Sequence, residues 1–200
     1  MSRFLETIRI RDGAPLHLDG HQLRVDDTFR VFYPGIPPLS LAAVISDSVI
    51  DASADQRCRI VYDDSTHEVT VTPLQPRTIR SLRLLDLPPD YDYGYKYADR
   101  RILELAFARR GDADDVLLIR DGWITDTSVA NVAFRANGRW YTPALPLLAG
   151  TTWKRLVSDG VIVPRPIHVD DLPRYEACVV FNALNDWDQR PAIPISAICR

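Results

Sequence analysis

Residues 94–100 read GYKYADR and place one lysine between two tyrosines. Aromatic neighbours lower the polarity around an amine, which favours the neutral, nucleophilic form of Lys96. A lysine that forms a Schiff base with a carbonyl compound requires that form. The same letters also suit a surface lysine whose stem lies on Tyr95 and Tyr97 while its ammonium group stays in water. The segment alone leaves both interpretations open.

A second candidate is an acid followed by small polar residues in GWITDTSVANVAF, where Asp126 precedes Thr127, Ser128 and Asn131. Such side chains commonly bond nearby backbone amides, so Asp126 could be an ordinary turn or capping acid. Alternatively, Asp126 could pair with a protonated heterocyclic nitrogen, as the ring of pyridoxal phosphate needs when it draws electrons from a substrate. The spacing favours neither interpretation.

Two further segments could bind a phosphate group. Gly150, Thr151 and Thr152 open a predicted helix in LLAGTTWKRL, where free backbone amides and hydroxyls can hold an anion. An ordinary N-cap with a permissive glycine explains the same residues. Arg24, in HQLRVDD, could clamp a phosphate with two hydrogen bonds, or it could be a surface arginine paired with Asp27.

The elements that must position these residues follow from the sequence periodicity. FLETIRIRDG predicts a strand and a turn, and the spacing of apolar residues predicts a helix over about 18–32. A second helix in LSLAAVISDSVIDAS, a hairpin around Asp63-Asp64 and a third strand in RTIRSLRLLDLP follow. The segment LPPDYDYGY is the best candidate for a linker. These features predict a small α+β lobe at 1–88 and a larger lobe at 89–200 that carries Lys96.

The second lobe has equally distinct signals. A helix is predicted in KYADRRILELAFARRG, and Asp121-Gly122 and Asn137-Gly138 each predict a hairpin. The helix opened by Gly150 comes next, followed by a strand in VIVPRPIHV, a short acidic helix, a buried strand over 177–181 and a closing segment RPAIPISAI.

Composition excludes several classes of protein. The 200 residues, net charge of -3 and pI near 5.8 give no reason to expect a nucleic-acid partner. No apolar run reaches the roughly 20 residues of a membrane span, and the N-terminus lacks a signal-peptide core, so a cytoplasmic protein is expected. The three cysteines and four histidines lack the spacing of metal ligands, so no metal site is expected.

Together the segments resemble one known family almost from end to end. The chain is similar to the class IV aminotransferases, the fold-type IV pyridoxal phosphate enzymes, which include branched-chain and D-amino-acid aminotransferases and 4-amino-4-deoxychorismate lyase. The order and spacing of several pieces carry the resemblance: FLETIRIRDG with HQLR, GYKYADR, GWITDTSVANVAF, GRWYTP, LLAGTTWKR and VVFNAL. The resemblance implies an α+β fold of two lobes with pyridoxal 5′-phosphate in the cleft between them, a homodimer, and a small-molecule amino substrate.

The resemblance also implies roles for individual residues. Lys96 would form the Schiff base with the cofactor and then transfer the proton. Asp126 would pair with the pyridine nitrogen, and Arg24 would bind the phosphate from the small lobe. The other cofactor-binding residues expected on this basis are Asn131, Gly150, Thr151, Thr152, Asn182 and Ala183, with Leu184 beside them.

The sequence departs from the family pattern at four places. Asp126 stands where glutamate is usual, and Asp99 stands where members often carry asparagine, which would favour a protonated Schiff base. Trp153 replaces an arginine that frequently follows the phosphate-binding turn. The segment before FLETIR is shorter than in most members, which bears on substrate choice.

The reaction remains a choice between two chemistries that use the same residues. Proton return to the cofactor leads to transamination with a 2-oxo acid acceptor, whereas expulsion of a β-substituent leads to a lyase that releases p-aminobenzoate and pyruvate. Two local features favour the lyase: G-x-K-x-x-x-R around Lys96 and N-A-L at Asn182. A family member that binds a phosphate ligand without turnover is the third alternative.

Overall fold

Two units make up the chain in the computed structural model, which describes residues 2–185, 187 and 190–200. The first unit contains Met1–Pro76 and Tyr95–Asp99, and the second contains Arg77–Gly94 and Arg100–Arg200. Each unit combines sheet and helix, as the α+β prediction requires.

The first unit is built on an antiparallel sheet of four strands. They are β1 (Phe4–Arg11), β2 (Ala14–Pro15), β3 (Gln56–Tyr62) and β4 (His67–Pro73), in the order β2-β1-β3-β4. Side chains alternate between the two faces of a strand, so Phe4, Ile8 and Ile10 of β1 lie on one face, and all three are fully buried. The predicted turn after β1 is confirmed, with positive φ at Asp12 and Gly13.

Two helices pack with this sheet. Helix α1 (Leu18–Phe32) has the predicted bounds and buries Val25 and Phe29 in the same apolar core as β1. Helix α2 (Leu41–Ser46) is shorter than the apolar run LSLAAVISDSVIDAS suggested. It ends early because polar side chains bond nearby backbone groups: the Ser48 hydroxyl donates to the Val44 carbonyl at 2.9 Å.

The second unit contains two mixed sheets. The strands are β5 (Leu82–Asp86), β6 (Asp115–Arg120), β7 (Trp123–Thr127), β8 (Asn131–Ala136), β9 (Arg139–Pro143), β10 (Val163–Arg165), β11 (Ala177–Phe181), β12 (Ile193–Pro194) and β13 (Ile198–Cys199). One sheet has the order β10-β9-β8-β11-β12 and the other the order β13-β5-β6-β7. Both predicted hairpins, β6–β7 and β8–β9, are confirmed, and the predicted closing segment divides between the two sheets.

The helices of the second unit are short. Helix α3 (Arg101–Ala108) begins after the Lys96 segment rather than at it, and helix α4 (Thr151–Ser158) begins at the predicted Gly-Thr-Thr. The predicted acidic helix is a 3-10 helix at Val169–Arg174, and a second 3-10 helix spans Ile195–Ala197. Among the described residues, no helix has the length and apolar character needed to cross a membrane.

The boundary between the units differs from the predicted one at 88/89. Strand β5 joins the second unit because it pairs in parallel with β6, with Leu82 opposite Asp115. The Lys96 segment joins the first unit because its backbone bonds to the chain there. Leu5 N donates to the Lys96 carbonyl at 2.9 Å, and Ala98 N donates to the Arg3 carbonyl at 2.8 Å.

The burial of the thiols predicts their reactivity. Cys58 and Cys178 are fully buried, and burial raises the pKa of both thiols, that of Cys178 to about 12. Cys199 is exposed. Since the thiolate is the reactive form, we expect one fast-reacting thiol with Ellman's reagent in the folded protein and three after denaturation. Fast reaction of two thiols in the folded protein would contradict this burial.

Candidate active site

Arg24 lies in a buried cluster of charged side chains in the first unit. Its Nε donates to Glu6 Oε1 at 2.7 Å and its Nη2 donates to Glu6 Oε2 at 2.5 Å. His21, one turn earlier on α1, places Nδ1 at 2.6 Å from Glu6 Oε2. The exposed fractions are 0% for Glu6, 1% for His21 and 8% for Arg24. The cluster therefore joins α1 to β1 through a carboxylate shielded from water.

The charge state of Glu6 follows from its neighbours. Burial raises the pKa of its carboxyl group, but the attraction of Arg24 and the hydrogen bonds from Arg24 and His21 outweigh burial and lower the pKa to about 2. Glu6 is therefore ionised at neutral pH and can only accept hydrogen bonds. It follows that His21 Nδ1 carries the proton in this contact.

The partner that the structure gives Arg24 is Glu6, which the sequence interpretation did not include. The Asp27 carboxylate accepts from Arg30 Nη2 at 2.9 Å on the exposed side of α1. Both Nε and Nη2 of Arg24 donate to Glu6. The binding of a phosphate group by Arg24 stays a prediction.

Glu6 and His21 are site residues that the sequence interpretation missed. The signal for Glu6 was present, since period-two alternation in FLETIRIR puts it on the same face as Phe4 and Ile8. A carboxylate on an apolar strand face needs a buried cation, and Arg24 is that cation.

Lys96 is half-buried in an irregular segment that pairs with the first strand of the first unit. Its tyrosine neighbours pack against the apolar core of the first unit. The Tyr95 ring packs edge-on against Phe32 with centroids 4.7 Å apart, and the Tyr97 ring lies 5.1 Å from that of Phe4. These contacts, together with the backbone bond from Leu5, fix the backbone on both sides of Lys96.

In the second unit, Asp126 is held by a network of short hydrogen bonds. Asn131 Nδ2 donates to Asp126 Oδ1 at 2.7 Å and to the Leu148 carbonyl at 2.8 Å. Leu148 N donates to Asp126 Oδ2 at 2.9 Å. Asp126 and Asn131 are buried, at 5% and 6% exposure. The bonds to both oxygens fix the orientation of the carboxylate.

Gly150 belongs to the same network. A Cβ atom at this position would lie 2.5 Å from Asn131 Oδ1, so only glycine allows the chain to pass the asparagine. Gly150 is also the N-cap of α4 and provides no side-chain cap. The first amides of α4, those of Thr151 and Thr152, therefore have no acceptor within the helix and can bind an anion there.

Replacing Gly150 with serine tests this close approach. Serine is the better N-cap by propensity, so capping alone predicts a small gain in stability. The contact with Asn131 instead predicts a loss of about 1–3 kcal/mol in the free energy of unfolding, measured by urea denaturation. In an Asn131→Ala background the loss should shrink, and equal losses in both backgrounds would contradict the proposed contact.

Asn182 and Ala183 lie in the turn after β11. Asn182 Oδ1 accepts from Leu184 N at 3.0 Å, which shapes the turn, and its Nδ2 donates to the Val129 carbonyl at 3.3 Å. This turn is thereby tied to the loop that follows Asp126. Among the residues predicted from sequence, the structure thus joins Asp126, Asn131 and Gly150 directly, and Arg24 to Glu6.

The match to known proteins covers nearly the whole chain. Residues 3–198 match the profile of the family described as amino-transferase class IV. The chain belongs to this family. That membership confirms the resemblance inferred from GYKYADR and the associated motifs.

Two relatives of this class IV aminotransferase chain differ in how much of it they match. An "uncharacterized protein" of Haemophilus influenzae is 30% identical over 187 residues, which cover 92% of this chain and 99% of that protein. A "putative aminodeoxychorismate lyase" of Schizosaccharomyces pombe is 38% identical over 82 residues, or 38% of this chain and 36% of that protein.

Solved structures confirm the fold-type IV prediction. A "putative 4-amino-4-deoxychorismate lyase" from Haemophilus somnus is 31% identical with a TM-score of 0.86, covering 92% of this chain and 97% of that one. A "putative amino-acid aminotransferase" from Mesorhizobium loti is 24% identical with a TM-score of 0.81, covering 100% and 99%. A "hypothetical aminotransferase" from Mycobacterium tuberculosis, in a pyridoxal phosphate-bound form, has 19% identity and a TM-score of 0.73, covering 98% and 81%.

Proposed function

We propose that this protein is a pyridoxal phosphate-dependent 4-amino-4-deoxychorismate lyase that releases p-aminobenzoate and pyruvate. The observation that carries the proposal is the 31% identity, over 92% of the chain, with the Haemophilus somnus structure named for that activity. The Schizosaccharomyces pombe relative named for the same activity supports it. The two products together contain all the atoms of the substrate, so the reaction needs no acceptor molecule.

The residues present fit the proposed cofactor. The Asp126 carboxylate is oriented by Asn131 and Leu148 and is buried, as an acid that pairs with a ring nitrogen should be. A carboxylate has about four lone-pair sites and can accept hydrogen bonds from more than two donors. The α4 N-terminus presents backbone amides without a side-chain cap, which suits a phosphate group.

Lysine is scarce in this chain, which narrows the choice of the reactive amine. The sequence contains two lysines, Lys96 and Lys154. Lys154 is exposed on α4, whereas Lys96 is half-buried and its backbone is held by the first strand. Lys96 is therefore the lysine whose place is fixed by backbone contacts outside a helix. We therefore assign the reactive amine to Lys96.

The mechanism distributes tasks among the chain's own groups. When bound, pyridoxal phosphate supplies an aldehyde that captures the substrate amine and a ring that accepts electrons from the neighbouring carbon. Asp126 would supply the negative charge that keeps the ring nitrogen protonated. The amides of Thr151 and Thr152 would bind phosphate oxygens, and Arg24 would do so as the family resemblance implies. Lys96 Nζ would take the proton from the substrate carbon as a general base.

Asp126 should perform this role despite being one methylene shorter than glutamate. The shorter side chain reaches less far, but Asn131 and Leu148 hold it in one orientation, so little conformational entropy is lost on binding. Asn182 and Ala183 would then contact the substrate side of the cofactor, as members of a turn fixed to the Val129 carbonyl.

Two separate activity assays on the purified protein test the proposal. In one assay, p-aminobenzoate and pyruvate are measured after addition of 4-amino-4-deoxychorismate. In the other, amino transfer to 2-oxoglutarate is measured from a panel of L- and D-amino acids. Equal release of the two products without an added acceptor is expected. Amino transfer without product release from 4-amino-4-deoxychorismate would replace the lyase proposal with an aminotransferase.

A further inference from the structure

Arg100 closes a loop around the segment that carries Lys96. Its Nη1 donates to the Tyr93 hydroxyl at 2.8 Å, and its Nη2 donates to the Ser128 carbonyl at 2.7 Å. Its guanidinium carbon also lies 5.7 Å from the centroid of the Tyr93 ring, within the range of a cation–π contact. The Arg100 side chain thus connects Tyr93, which precedes Lys96 in the sequence, to residue 100, which follows it.

Both partners of Arg100 are fixed. Tyr93 and Ser128 are each 3% exposed, so the two hydrogen bonds end on buried groups. The Tyr93 ring stacks on Tyr91 at 6.0 Å, and Arg120 at the end of β6 donates to the Tyr91 carbonyl. A planar guanidinium that bridges two rigid acceptors is itself rigid, because its donors are fixed in one fork.

Ser128 is the partner that relates the Arg100 bridge to the candidate site. It lies two residues after Asp126, in the loop that also receives the bond from Asn182 to the Val129 carbonyl. Tyr93 and Arg100, which flank residues 94–99 in the sequence, are therefore tied to the loop that follows Asp126. The motif G-x-K-x-x-x-R ends on Arg100, and its arginine has no other task in the proposed chemistry.

We propose that Arg100 is a positioning residue for Lys96, an inference that rests on the proposed function of Lys96 as the reactive amine. Arg100 binds Tyr93 and Ser128 and thereby fixes both ends of residues 94–99. Fixed ends restrict the positions that the Lys96 amine can take. Small displacements of a reacting group are costly, since about 1 Å can reduce a rate by roughly 100-fold. In this scheme Arg100 acts on neither Lys96 Nζ nor the substrate carbon directly.

The test compares Arg100→Gln, Arg100→Lys and Tyr93→Phe with wild type, and uses the exposed Arg109→Gln as a control. The first measurement is acetylation of Lys96 relative to Lys154 in the same molecule, by acetic anhydride and peptide mass spectrometry. It requires neither cofactor nor turnover. The second is the rate at which added pyridoxal 5′-phosphate becomes fixed to Lys96 by borohydride.

For Arg100→Gln we expect the Lys96 to Lys154 acetylation ratio to rise about fivefold and cofactor attachment to slow about tenfold, as a misplaced amine implies. Arg100→Lys, which can keep one of the two bonds, and Tyr93→Phe, which loses one, should give intermediate values. Arg109→Gln should match wild type. If Arg100→Gln does not fold, Tyr93→Phe decides.

If the acetylation ratio and the rate of cofactor attachment both stay within twofold of wild type in the folded variants, the assignment of Arg100 as a positioning residue is overturned. Failure of the proposed function looks different. In that case wild type itself takes up no cofactor on Lys96, while the acetylation ratio still reports whether Arg100 positions the amine.

Discussion

Replacing Lys96 with alanine is expected to abolish both the visible absorption of added pyridoxal phosphate bound as a Schiff base and the turnover of the proposed lyase reaction. General acid–base catalysis by one positioned group contributes about 10²–10⁴-fold, and Lys96 is also the proposed point of cofactor attachment. The loss in turnover should therefore reach at least the upper part of that range. Spectroscopy of the purified variant and a product assay at saturating cofactor measure the two effects.

The matched control is Lys154→Ala, because Lys154 is the other lysine of the chain and lies exposed on α4. This variant should keep the absorption band and turnover within about twofold of wild type, as expected for a surface substitution. The assignment of Lys96 fails if Lys96→Ala retains the band or if Lys154→Ala loses it.

Replacing Glu6 with glutamine should produce the largest loss of stability among single substitutions at the candidate site. The change removes the Glu6 charge from its pair with the buried Arg24 guanidinium, and breaking a buried ion pair in this way costs about 3–5 kcal/mol. Glutamine has nearly the same shape, so packing is kept and the loss reports the charge. Urea denaturation at neutral pH measures it.

The same carboxylate predicts how wild-type stability depends on pH. Its pKa falls from an ordinary 4.5 to about 2 in the folded chain. A lowered pKa in the folded state means that the stabilisation is complete above the unfolded value and is lost as the pH falls from about 4.5 towards 2. The shift corresponds to about 3 kcal/mol. Glu6→Gln should lack this component of the acid dependence.

An exposed ion pair on the same helix serves as the control. Asp27 and Arg30 pair at 2.9 Å on the surface of α1, where such a pair contributes about 0–1 kcal/mol. Asp27→Asn should therefore lower the free energy of unfolding by no more than that. Similar losses for Glu6→Gln and Asp27→Asn would show that the buried cluster does not stabilise the first unit as described.

Local structure was predictable where local signals decide it. Helix α1 and strand β11 have the predicted bounds, and the hairpins at Asp121 and Asn137 form where the turn residues indicated. In each hairpin the first turn residue has a positive φ, which aspartate and asparagine tolerate better than most residues. These features depend on neighbours in the sequence, so a sequence interpretation can reach them.

Pairing between distant segments was not predictable. The run that contains β5 was placed in the first lobe because it follows β4, but its partner β6 lies in the second unit. Likewise, a helix was predicted to begin within GYKYADR, whereas Leu5 of β1 binds the backbone of this segment. An apolar strand pattern reveals that a strand will be buried but does not name its partner.

In the candidate site, too, local signals were predictable and partners from distant segments were not. Motif spacing singled out Lys96, Asp126 and Gly150, whose environments fit the proposed chemistry. The partners that tune them were not visible, because Glu6 lies far in sequence from Arg24 and the bond to Asp126 from Leu148 comes from the backbone. Backbone donors carry no side-chain signature, so only a structure reveals them.

Reductive trapping tests the central claim most directly. The purified protein is incubated with pyridoxal 5′-phosphate, treated with borohydride, digested and mapped by peptide mass spectrometry. We predict one phosphopyridoxyl group per chain, attached to Lys96. A label on Lys154, or no stable label after reduction, would contradict the assignment of this chain as a pyridoxal phosphate enzyme that works through Lys96.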